Sequence, residues 1–168
     1  QAYDEALRHD PTYMDAFLAR IRVAKAVGDQ DALVALYQRH ADSVKGHNRQ
    51  FWLEAAARVA GAAGHDAAGA LYRAAIAGNN GSGSSLHREA AAYFERNNNA
   101  DGVHEAQTAE AKHQSGVARA STLLLIGERN AGDPNRAVAH LTEAFNADST
   151  CIPAVELAVG QLIEAGRG

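Results

Sequence analysis

Along most of the chain, apolar positions recur three and four residues apart. Trp52, Ala55, Ala56 and Val59 form one such set, followed by Ala68, Tyr72 and Ala75. Later sets are Ala137, Leu141, Ala144 and Phe145, then Val155, Ala158, Val159 and Leu162. This spacing collects side chains on one face of a helix, whereas a half-buried strand needs strict alternation. Runs of β-branched residues are absent and only three prolines interrupt the chain. The pattern predicts an all-α fold of about ten helices, near 2–9, 13–27, 30–42, 49–63, 66–77, 85–97, 101–114, 117–131, 134–147 and 152–165.

The breaks between these segments are periodic. Gly28, Gly64, Asn98, Gly132 and Gly166 are separated by 36, 34, 34 and 34 residues. A second series falls between them, at Asp10-Pro11, Lys45-Gly46-His47-Asn48, Gly78 to Ser84, Ser115-Gly116 and Asp148 to Cys151. Each period therefore holds two helices of about a dozen residues, the signature of a helical-hairpin repeat. Pro11 and Pro134 fit helix boundaries through their restricted backbones. Ser84 or Ser85 is a candidate cap for the helix that follows, with Glu89 able to reach back. The glycine- and asparagine-rich stretch from Gly78 to Gly83 falls where the period requires a turn, so it reads as an elongated turn rather than a domain boundary.

Within one period, Trp52-x2-Ala55-Ala56-x2-Val59-x8-Ala68-x3-Tyr72-x2-Ala75 resembles the tetratricopeptide repeat. Tyr3-x2-Ala6-Leu7-x2-Asp10-Pro11 looks like the end of such a repeat, and Ala137-x3-Leu141-x2-Ala144-Phe145-x2-Asp148 is similar, with Ser149 in place of the proline. Gln107 and Glu128 stand where bulky apolar and aromatic residues are expected. The resemblance implies a right-handed α-solenoid of antiparallel hairpins running through 1–168 as a single array. Its units would be 1–12 in part, 13–47, 48–82, 83–116, 117–150 and 151–168 in part. It also implies close helix crossings at Ala56 and Ala68, where larger side chains would hold the backbones apart. Val155, Leu157, Val159, Leu162 and Ile163 leave the last helix apolar on more than one side. A repeat normally has a polar cap there, so a further repeat or another subunit is expected to cover it.

In this family the first helix of each hairpin lines a concave, peptide-binding surface. Carrying the register over assigns Met14, Phe17, Ile21 and Lys25 to that surface in the first full unit, and Gln50, Leu53, Ala57 and Gly61 in the second. Arg88, Arg96, Arg119 and Arg129 follow, with Ile126 among them. The expected peptide site is thus Leu53, Arg88, Arg96, Arg119, Ile126 and Arg129, with guanidinium forks facing carboxylates and the two apolar residues as anchors. Pairing of these arginines with Glu89, Glu95 and Glu128 is the competing explanation.

Charge narrows the choice of partner. A net −4 and pI near 6 argue against a general phosphate-binding surface. The longest strongly apolar run, Leu123 to Ile126, is far short of a membrane span. One cysteine, Cys151, allows no internal disulfide and reads as a buried thiol. Of the eight histidines, His140 and Glu143 have metal-ligand spacing, but no second such pair accompanies them. Gly81-Ser82-Gly83-Ser84-Ser85 lacks the preceding strand and the lysine of a phosphate loop. These features predict a non-catalytic scaffold with no cofactor and no metal, binding an acidic protein or peptide, neither nucleic acid nor membrane, with self-association through uncapped ends open. The alternatives are an assembly or accessory domain of a larger enzyme or secretion complex, and an RNA-binding helical-repeat module.

Overall fold

A computed structural model describes residues 2–78 and 84–166. Ten helices, and no strand, occur among them: α1 (Ala2–His9), α2 (Met14–Val27), α3 (Gln30–Ser43), α4 (Gly46–Ala63), α5 (Ala68–Ala77), α6 (Ser84–Arg96), α7 (Ala100–Lys112), α8 (Gly116–Arg129), α9 (Pro134–Ala147) and α10 (Ile152–Glu164). Helices adjacent in sequence pack on one another within two compact units, 1–82 and 83–168. The division falls in the stretch expected to be an elongated turn; most of that stretch, with the capping role of Ser84, lies outside the described residues.

Capping chemistry accounts for most boundaries. Asp29, Asn99 and Asp133 accept hydrogen bonds from the third amide beyond them, at 2.9, 2.8 and 3.2 Å. Gly28 and Gly64 close α2 and α4 in the left-handed conformation, at φ +71° and +68°. One boundary departs from expectation. α4 starts three residues earlier than the sequence predicts, because extended Val44 and Lys45 followed by Gly46 at φ +61° complete the turn and leave His47 and Asn48 free to be helical. Ser115 and Gly116, at φ +53°, start α8 in the same way.

In the first unit, Ala56, Ala57, Ala60, Ala68 and Ala75 are fully buried. Small side chains therefore do set the approach of α4 and α5. The space around them is filled by Leu53, Leu71 and Tyr72, and further out by Phe17, Tyr37, His40 and Trp52. Gln50 is buried as well and donates from Nε2 to the Ala75 carbonyl, tying α4 to α5. The second unit is built on Leu86, Ala90 and Phe94 of α6, Val103 and Ala106 of α7, and a cluster of Ala111, Leu123, Ile126, Leu141, Ala144 and Ala154. Cys151 is a half-buried free thiol packed against that cluster. In α10 only Ala154 is buried; Ile152, Val155, Leu157, Val159 and Ile163 are exposed. Among the described residues no helix is long and apolar enough to cross a membrane.

Candidate functional site

The six residues expected to form a peptide groove have different fates. Leu53 is 3% exposed and Ile126 is 0% exposed, so both are core side chains of their own units and neither is available as an anchor. Phe17, Ile21, Gln50 and Ala57, assigned to the same surface, are buried too. The physical cause is angular: one residue turns a helix by about 100°, so a register off by one position swings a stripe from solvent into the core. In α8 the exposed stripe includes Ala118, Ser121 and Leu125, so Ala118 and Leu125 lie one residue before the expected Arg119 and Ile126. In α2 Met14 and Lys25 are exposed as expected, while Leu18 and Arg22 take the surface positions expected of Phe17 and Ile21.

The four arginines all belong to the second unit, and three contact carboxylates. Arg129 donates to Glu95 Oε1 at 2.9 Å, linking α8 to α6 across 34 residues of sequence. Arg119 stands 3.6 Å from Glu143 and Arg88 stands 3.6 Å from Glu110. Burial raises the Glu110 pKa, and Arg88 only partly opposes this. Arg96 is exposed and makes no ion pair among the described residues. The competing explanation therefore holds in kind for Arg129, with Glu110 and Glu143 as partners that the sequence did not suggest. The Arg119–Glu143 and Arg129–Glu95 pairs are exposed and worth about 0–1 kcal/mol each, whereas Arg88 reaches a buried carboxylate at Glu110.

The first unit holds a cleft of about 420 Å³, where the start of α2, the end of α3 and the start of α4 meet. Its wall includes Thr12, Met14, His40, His47, Phe51 and Trp52, and no carboxylate lines it. Trp52 is held from several sides: Phe17 and His40 meet its ring edge-on at 5.0 and 5.1 Å, and Tyr37 stacks on it at 5.7 Å. Phe51 packs edge-on against it at 4.8 Å and is 58% exposed; Met14 and neighbouring Tyr13 are also exposed. A packed aromatic floor thus carries an exposed apolar rim. Lys45 and Arg49, sequence neighbours of the lining residues, are exposed and unpaired among the described residues. Because His47 and Asn48 read as turn residues, the adjoining Phe51 and Trp52 were not placed beside them in the sequence; the early start of α4 is what brings these positions onto one helix.

No group of three or more His, Cys, Asp and Glu side chains that could hold a metal ion occurs among the described residues. His140, once paired with Glu143 as a ligand candidate, has its ring 5.3 Å from that of His104. Comparison of the chain with protein-family models, with curated proteins and with solved structures finds no match.

Proposed function

We propose that this chain is a non-catalytic protein-interaction module built from tetratricopeptide-like hairpins, and that the first unit binds a peptide with an apolar residue flanked by acidic ones. The carrying observation is the cleft over Trp52. Large apolar side chains left exposed at a concave site lose water on binding and supply affinity, and aromatic residues dominate such contacts. The absence of carboxylates from the lining and the unpaired Lys45 and Arg49 beside it favour an acidic ligand, which charge would orient. The continuous right-handed solenoid that the 34-residue period implies belongs to the same proposal, and small-angle scattering tests it.

The arginines of the second unit are the competing location, and the experiment separates the two. A displayed library of random 12-residue peptides is selected on the wild-type chain, and the enriched peptides are titrated against variants. The expected sequences carry a large apolar residue among Asp and Glu. Lys45→Glu with Arg49→Glu, and separately Phe51→Ala, should each weaken them at least about tenfold, or 1.4 kcal/mol. Arg119→Glu with Arg129→Glu should leave them nearly unchanged. The reverse pattern would move the site to α6 and α8, and a failure to enrich any peptide would overturn the proposal.

A further inference from the structure

Gln107 breaks the repeat pattern by placing a carboxamide where an apolar residue is expected, and the fold does not push it out to solvent. It is 8% exposed, makes no hydrogen bond among the described residues, and lines a cleft of about 510 Å³ in the second unit. The side chain is mostly buried while its amide faces the cleft, so its donors and acceptor are open to a ligand there.

The rest of the cleft indicates which interaction. It lies where the turn between α6 and α7 meets the end of α8 and the start of α9. Ala100 and Asp101 open α7 and line it; Asn99 caps only the amide of Gly102, so their two N–H groups precede the first bond within the helix. Arg136 also lines the cleft and makes no ion pair among the described residues, whereas Arg129 is neutralised by Glu95 at 2.9 Å. Asn130 uses its Nδ2 to bind the Ile126 carbonyl and keeps its Oδ1 free. The opposing charge is the exposed Asp101 carboxylate. One unspent guanidinium, two helix-terminal amides and an unspent carboxamide thus converge on one space. The balance of one spare cation against one exposed anion suits a monoanion better than a phosphate, and the volume is that of a small-molecule site.

We propose that this cleft binds a small carboxylate bearing an amide next to the acid group. The carboxylate sits on Arg136 and the first amides of α7, and the Gln107 carboxamide pairs with the amide of the ligand. Nothing in this depends on peptide binding by the first unit, and none of the residues varied below belongs to that cleft.

N-acetylglycine is the minimal probe, titrated into ¹⁵N-labelled protein while two-dimensional NMR follows backbone and side-chain amides. Saturable shifts are expected at residues 98–104 and at the Gln107 side chain, with an affinity of about 1–10 mM, as befits so few atoms. Acetate should bind the same residues at least fivefold more weakly, and uncharged N-acetylglycinamide should not bind. Arg136→Gln should weaken N-acetylglycine at least fivefold. Gln107→Leu should stay folded, its spectrum serving as the check, and should abolish the preference for N-acetylglycine over acetate. Equal binding of N-acetylglycinamide, shifts scattered over the chain, or no saturation would overturn the assignment. Tighter binding of N-acetyl-triglycine would also overturn it, by giving the cleft to peptide termini instead.

Discussion

Gly127→Ala sets helix propensity directly against packing. Alanine in place of glycine within α8 gains about 1 kcal/mol of intrinsic helix stability. The added methyl, however, would lie 2.6 Å from both Cγ and Cδ2 of Leu141, with the Ala137 carbonyl oxygen 3.4 Å away. Ordinary carbon contacts are about 3.5–4.0 Å, so roughly 1 Å of movement is needed. Leu141 is fully buried, and its Cγ is a branch point that side-chain rotation cannot carry clear, so α8 and α9 must separate. Overpacking of this kind costs about 1–3 kcal/mol, and the branch-point clash places it near the top of the range. The net expectation is a loss of about 2 kcal/mol, set by the overpacking cost less the propensity gain. Gly160→Ala is the internal control. It makes the same change in α10 of the same unit, where a methyl meets nothing within 4 Å, so only the propensity gain remains. Urea unfolding followed by far-ultraviolet circular dichroism should therefore move the midpoint down for Gly127→Ala, by about 1 M at an m-value near 2 kcal/mol/M, and slightly up for Gly160→Ala. If both variants gained stability equally, close packing of α8 on α9 would be wrong and glycine at 127 would have no steric reason.

Other changes probe separate parts of the account. Ala56→Leu, at a fully buried position, should cost about 1–3 kcal/mol by overpacking, while Ala77→Leu on the exposed end of α5 should cost little, as thermal unfolding will show. Asn99→Ala should lose about 1 kcal/mol by uncapping α7, measurable by the same unfolding curves. The pH dependence follows from His104, whose pKa is lowered below 6.5 by burial first, then by Arg136 and His140, against Asp101 and Glu105. The unfolded chain then binds the proton more readily, so stability should fall as pH drops from 6.5 through the lower folded value; His104→Gln should flatten that part of a stability–pH curve.

The helices were legible because apolar spacing and punctuation are local, and both act along the chain. Ala56 and Ala68 were legible as close crossings for the same reason: only small residues fit where two backbones nearly touch, and both are fully buried. The start of α4 was not, because Lys45-Gly46 closes a turn in fewer residues than its composition suggests. The surface assignments failed at Leu53 and Ile126 because a stripe displaced by one residue lands in the core. Charge partners were legible only where the repeat itself sets them: Glu95 and Arg129 are one 34-residue period apart, whereas Glu110 and Glu143 meet their arginines through packing between helices. Neither cleft could be read in advance, since each joins a turn to helix ends that are distant in sequence.

Trp52 is the chain's one tryptophan and forms part of the proposed peptide cleft, so its fluorescence tests the central claim most directly. Titration of a selected acidic peptide that lacks tryptophan and tyrosine should change the emission of Trp52 saturably. Phe51→Ala and the Lys45→Glu, Arg49→Glu pair should each move the midpoint at least about tenfold higher, the equivalent of 1.4 kcal/mol. Calorimetric binding of that peptide with no change in Trp52 emission, and with an affinity indifferent to those substitutions, would contradict it.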